Sequence, residues 1–216
     1  MTSPAGVGSI GILGGTFDPP HLAHLAIAEE AREVLGLSTV LFMPAGQPWQ
    51  KVDSPVSPGR LRLAMVEQAI AGNPFFRADP REVDRAGPTY TAETIAEVAA
   101  ETGAEPWFIL SAEALAGLPT WRDPERILAL ARLCVVPRGA APEAAIASFR
   151  ALYPAAANRI TVLDLPRLAI SSTAIRARVR AGRSIRYLVP DTVAALITEY
   201  ALYVADPAPV PAPADV

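Results

Sequence analysis

Short, continuously apolar runs alternate along this chain with longer stretches in which apolar residues recur every three or four positions. The runs at 10–13 (IGIL), 40–43 (VLFM), 107–110 (WFIL) and 133–136 (LCVV) have no polar face, the pattern of strands buried on both sides in a parallel sheet. A weaker run at 160–163 (ITVL) reads as a fifth strand. Helical spacing marks 22–35, 60–70, 92–101 and 124–131. Another helix is predicted over 174–181, behind the hydroxyl cluster Ser171-Ser172-Thr173 that can cap it, and a last one over 192–203. Strands alternating with helices predict the α/β class, an open, mostly parallel sheet with helices on both faces. The loop over 44–58 carries four prolines and two charged side chains, which suits a mobile element over a site. With no repeat and no second boundary, a single domain is expected over 1–204, and the Pro/Ala-rich tail 205–216 (ADPAPVPAPADV) is predicted to be disordered.

Composition acts mainly by exclusion. A chain of 216 residues suits one compact domain with a sizeable core. Its 19 lysines and arginines oppose 22 aspartates and glutamates, so no broad basic face points to nucleic acid or an anionic membrane, and any phosphate binding must be local. One cysteine, Cys134, excludes an internal disulfide, and two histidines leave few ligands for structural zinc. The opening MTSPAGVGSIGILGG has no cationic stretch and too short an apolar part for a signal peptide. Nowhere do about 18 uninterrupted apolar residues occur, so no membrane span is expected, and a cytoplasmic location follows. A homo-oligomer is compatible with this composition, though no pattern specifies one.

The candidate chemistry lies directly after the first strand, in GGTFDPPHLAH (14–24). Gly14 and Gly15 allow backbone to approach a phosphate closely because no Cβ intervenes. Thr16 and Phe17 follow with amides that can face an anion, and the helix starting near His21 or Leu22 brings its positive dipole end to the same place. His21 and His24, the only histidines, are three apart and project from one face of that helix. Buried helix packing is the plain alternative for a His-x-x-His pair taken alone; what favours a site is its coincidence with a glycine pair at the C-terminal end of a strand, where open α/β sheets bind ligands. Catalytic zinc lacks a third histidine, and neither GxGxxG nor GxxxxGK[ST] is present. The set instead suits a triphosphate held by imidazoles and amides.

A second string, Ile170-Ser171-Ser172-Thr173-Ala174-Ile175-Arg176, joins a capped helix start to a guanidinium one turn further in and could grip another part of a polyphosphate. With both strings in hand, the chain resembles the cytidylyltransferase-like nucleotidyltransferase superfamily, marked by GGxFxPxHxxH early and ISSTxxR late. The resemblance implies a Rossmann-like fold. Within the superfamily it is similar to the nicotinate-nucleotide adenylyltransferase family, on four further matches: GQPWQK (46–51), SPGRLRLAM (57–65), DRAGPTYTAET (84–94) and LPTWRDPERIL (118–128).

That resemblance implies adenylyl transfer from ATP to nicotinate mononucleotide, with Mg²⁺ accompanying ATP. It implies ATP contacts for Gly14, Gly15, Thr16 and Phe17, phosphate contacts for His21, His24 and Lys51, and completion of the ATP side by Ser111, Glu113, Ile170, Ser171, Ser172, Thr173 and Arg176. Tyr90, Thr91 and Trp121 fall where the family holds the nicotinate ring. Two departures stand out. The family's usual Gly-Ala-Asp is Ser111-Ala112-Glu113 in this chain, and its common Pro-His-Lys loop is Pro48-Trp49-Gln50-Lys51. No carboxylate cluster is dedicated to a metal. The rival readings are another transferase of the superfamily, acting on phosphopantetheine or an alcohol phosphate, and a non-catalytic nucleotide-binding regulator.

Overall fold

The computed structural model describes residues 8–46, 56–138, 141–166 and 168–204. One sheet runs through them, with β1 (Ile10–Gly15), β2 (Thr39–Pro44), β3 (Phe76–Ala78), β4 (Trp107–Ser111), β5 (Arg132–Val136) and β6 (Ile160–Val162) in the order β3-β2-β1-β4-β5-β6. Every pairing is parallel, which sharpens the expectation of a mostly parallel sheet. The five expected runs fall on five of these strands. The sixth, β3, is a three-residue edge strand, too short to show any period in sequence.

Helices α1 (Leu22–Leu35), α2 (Gly59–Ile70), α3 (Arg81–Asp84), α4 (Thr91–Thr102), α5 (Ala112–Gly117), α6 (Pro124–Leu130), α7 (Pro142–Leu152), α8 (Ser172–Arg180) and α9 (Asp191–Glu199) connect and flank the strands. Helices α3, α5 and α7 were not expected: the first two have only four and six residues, and in α7 four alanines in PEAAIASFRAL leave only Ile146 and Phe149 buried, too few to mark a period. The last helix stops at Glu199 rather than 203: Ala201 and Tyr203 take left-handed conformations (φ 47° and 62°) that turn the chain back on itself. Among the described residues, no helix is long and apolar enough to cross a membrane.

Neighbouring residues of each strand point to opposite faces, so the apolar runs feed two cores. Ile12, Phe108, Leu133 and Val135 pack with Ile95, Leu115, Leu118, Ile127 and Phe149 on one side. Leu13, Phe42, Ile109 and Cys134 pack with Ile27, Ala28, Ala31, Val66 and Ile70 on the other. A third cluster of Met65, Ile175, Val189, Val193 and Ile197 binds α8 and α9 to α2. The strand order reverses between β1 and β4, and the crevice beyond the C-terminal ends of those strands is where this topology places ligands.

Candidate functional site

The turn leaving β1 is the most constrained backbone in that crevice. Phe17 takes a left-handed conformation (φ 49°) although its side chain is buried, a geometry that costs a non-glycine residue about 1–2 kcal/mol and persists only where its surroundings fix it. Those surroundings come from distant segments. Arg62 of α2, 1 % exposed, donates to the Thr16 carbonyl (2.8 Å) and also to the carbonyls of Ser57, Ala45 and Gly46 (2.9, 2.7 and 3.0 Å). Arg176 of α8 donates to the Asp18 carbonyl at 2.8 Å and Ser172 Oγ to the Pro19 carbonyl at 2.8 Å. The two sequence strings therefore clasp each other directly. Ser171 caps α8, its Oγ accepting from Ala174 N at 3.2 Å, as its place before the helix led one to expect.

The glycines differ in their reasons. A Cβ on Gly14 would meet only the Phe108 ring at 3.7 Å, an ordinary contact, so packing leaves this exposed position open to a ligand. A Cβ on Gly15 would press on the Phe17 ring at 3.2 Å, so that glycine serves the turn itself.

His21 is the N-cap of α1 and His24 lies in its first turn; their rings stack with centroids 3.7 Å apart, and the Phe17 ring meets His24 edge-on at 4.9 Å. His24 Nδ1 accepts from the His21 amide at 3.1 Å, so the neutral ring carries its proton on Nε2. His21 Nδ1 is buried without a partner. Burial, and after it the charge of Arg138, pulls the His21 imidazole down from its ordinary value to about 4. Burial, His21 and Arg138 hold His24 well below its ordinary range. Both rings are thus neutral near pH 7 in the free protein. The first amides of α1 are partly engaged already: Leu22 N donates to the Leu188 carbonyl (3.0 Å) and His24 N to that of His21 (2.9 Å).

Beside the histidines a cavity of about 400 Å³ opens between Ala23 and Ile27 of α1, the segment Val136-Pro137-Arg138 after β5, Glu113, and the stretch from Ala169 to Ser171, a size suited to a small ligand. It gathers Glu113, Ile170 and Ser171 as expected. Ser111 instead turns its hydroxyl to Ala114 N (3.1 Å) as the cap of α5. Thr173 is exposed and its Oγ1 accepts from Arg176 at 3.4 Å. Lys51, and with it most of the loop expected over the site, lies outside the described residues.

The remaining candidates form a second group. Tyr90 precedes α4, Thr91 is its first residue, and the Arg122 guanidinium lies 4.4 Å above the Tyr90 ring. Trp121 meets Phe108 edge-on at 6.1 Å, so one aromatic ring of β4 links Trp121 to the open side of Gly14. Among the described residues no three His, Cys, Asp or Glu side chains are grouped to hold a metal ion.

Sequence reasoning missed Asp18, Arg62, Arg138 and Tyr203. Arg138 had a usable signal, a cation just past the C-terminal end of a buried strand. The others act through contacts between residues far apart in sequence, such as Tyr203 to Asp18, and left no local trace.

The cytidylyltransferase-like family model matches residues 12–178. A probable nicotinate-nucleotide adenylyltransferase of Roseiflexus sp. (strain RS-1) is 49% identical over 197 residues, covering 90% of this chain and 97% of that protein. Another, from Dehalococcoides mccartyi, is 40% identical over 195 residues, with 89% and 96% covered. The fold is also that of the Plasmodium falciparum nicotinic acid mononucleotide adenylyltransferase solved in complex with NaAD, at a TM-score of 0.70 and 18% identity over 91% of this chain and 97% of that one. With an identity of 49% sustained over nine-tenths of its length, the chain belongs to the nicotinate-nucleotide adenylyltransferase family of cytidylyltransferase-like proteins.

Proposed function

We propose that this protein transfers the adenylyl group of ATP to nicotinate mononucleotide, giving the deamido dinucleotide and pyrophosphate. The observation that carries this reading is the stacked pair of neutral imidazoles beside Arg138, His21 buried and His24 half-buried, at the N-terminus of α1 and under a turn held by Arg62, Arg176 and Ser172. A polyanion entering there supplies what the free site lacks: it favours the charged form of each imidazole, and His21 and His24 become cationic donors as it binds. Arg138 adds a permanent charge. Ile170 and Ser171, with Ala23 and Ile27, line the cavity for the nucleoside, and Glu113 offers a carboxylate at its rim.

In the reaction, a phosphate oxygen of the mononucleotide forms a bond to the α-phosphorus of ATP while the bond from that phosphorus to the bridging oxygen breaks and pyrophosphate leaves. The attacking oxygen is already anionic, so no protein nucleophile and no general base is needed. Catalysis then consists of positioning the two phosphates and stabilising the charge that grows on the leaving group. Mg²⁺ would accompany the triphosphate as part of the nucleotide substrate and would help to neutralise its charge. Tyr90, Thr91 and Trp121 receive the nicotinate ring, Trp121 by stacking, and Lys51 approaches the phosphates. With a single cysteine in the chain, a reducing cytoplasm is the location that fits.

Pyrophosphate release from ATP in the presence of nicotinate or nicotinamide mononucleotide tests the reading. Release is expected with nicotinate mononucleotide. Release with neither, but with phosphopantetheine or an alcohol phosphate, would move the chain to another branch of the superfamily.

A further inference from the structure

The phosphate turn is held by one group that the reaction does not call for. Tyr203, four residues past the end of α9, donates its hydroxyl to Asp18 Oδ1 at 2.6 Å. Asp18 is 2 % exposed; its other carboxylate oxygen accepts from Ser57 N at 3.2 Å and its carbonyl from Arg176. A buried carboxylate at the centre of an anion site is electrostatically contrary to ligand binding, so a structural use has to account for it. Its use is visible in the backbone. Among the described residues, five other than glycine have positive φ, and three of them, Phe17, Ala201 and Tyr203, lie at the two ends of this one contact. Ala201 N and Leu202 N donate to the carbonyls of Thr198 and Ile197 (3.2 and 2.9 Å), curling the chain so that Tyr203 faces inward. Helix α9 is a firm base for this reach, since Val193 and Ile197 pack with Met65 and Ile175, and Thr192 Oγ1 donates to the Gln68 carbonyl at 3.0 Å.

We propose that Tyr203 is a positioning residue for adenylyl transfer: by holding Asp18 it fixes the backbone of residues 16–19 on which the triphosphate rests, so the turn that follows α9 governs ATP binding and turnover. The turnover part rests on the adenylyl-transfer reading; the ATP-binding part does not. Burial and the bond to Asp18 push the Tyr203 phenol up, so it stays a donor throughout the working range.

The test uses the full chain with Tyr203→Phe, which removes only the hydroxyl, and Tyr200→Phe, an exposed tyrosine of the same turn, as control. A hydrogen bond to a charged group is lost, so calorimetric titration is expected to show ATP Kd raised about tenfold and steady-state kinetics kcat lowered about tenfold. KM for the mononucleotide and the behaviour of Tyr200→Phe should not change. A partly unfolded preparation lowers apparent turnover but leaves Kd alone, which separates positioning from stability. An ATP Kd within twofold of the parent overturns the proposal. Hydrogen exchange of the unaltered chain gives a second arm that needs no stable variant: ATP should slow residues 14–18 and 200–204 together, and slowing of the first segment alone contradicts the coupling. Because the ATP titration needs no mononucleotide, its outcome is independent of whether pyrophosphate release identifies the acceptor.

Discussion

At the end of the crevice proposed for the phosphates, Thr16, Asp18 and Pro19 are each held by a hydrogen bond from a segment remote in sequence, and two imidazoles, one buried and one half-buried, are stacked beside them. At the end proposed for nicotinate, the contacts are those of Arg122 over the Tyr90 ring and of Trp121 against Phe108, and Arg122 is exposed. The difference follows from what each end is proposed to recognise. A triphosphate offers charge and oxygen atoms that any backbone donor or cation can engage, so discrimination is unimportant and precise placement decides the rate. A pyridine ring offers a flat apolar face and one substituent, which stacking can hold with fewer fixed partners.

The comparison is broken most directly at the phosphate end. His21→Ala should lower kcat about 10²- to 10³-fold, the range for removing one donor to developing charge, with KM for the mononucleotide little altered. Steady-state kinetics with each substrate varied would measure it, and unchanged turnover would remove His21 from its role.

The same histidine makes stability depend on pH. Its folded-state value, about 4, lies below the ordinary 6.5, so its contribution is fully present above pH 6.5 and is lost as the pH falls toward 4. For a ring 1 % exposed, the full loss is on the order of 3 kcal/mol. Urea denaturation at pH 7 and pH 4.5 should show the unaltered chain losing more stability than His21→Gln; equal losses would mean that burial does not hold the ring neutral. A bound ATP analogue should shrink the loss, because the anion favours the protonated ring.

The nicotinate end should respond in the other kinetic parameter and by less. Trp121→Ala is expected to raise KM for the mononucleotide about tenfold while leaving KM for ATP unchanged, in line with about 1–3 kcal/mol for a lost base stack. A rise in both would mean that the Phe108 bridge carries the disturbance to Gly14, and the two ends would no longer count as separate.

The two ends also differ in how they could be read. GGTFDPPHLAH is contiguous because a turn, a helix start and two ring positions one turn apart are local geometry, and ISSTAIR is legible as a cap for the same reason. Five strands were legible because burial on both faces leaves an unbroken apolar run; β3, α3, α5 and α7 were not, the first three being too short and the last too rich in alanine. Tyr90, Thr91 and Trp121 lie on separate elements, and resemblance rather than periodicity drew attention to them. Arg62 looks like any surface arginine of an amphipathic helix, and only the fold reveals that it satisfies four carbonyls. The reach of Tyr203 to Asp18 spans almost the whole chain and has no counterpart in local sequence.

The central claim is that the phosphate end positions ATP but holds no acceptor, so the adenylyl group moves only when the nicotinate end delivers one. Exchange of labelled pyrophosphate into ATP, measured with no mononucleotide present, tests this most directly. No exchange is expected, with exchange appearing once the deamido dinucleotide is added. Rapid exchange with ATP and pyrophosphate alone would reveal an adenylylated protein and contradict the account.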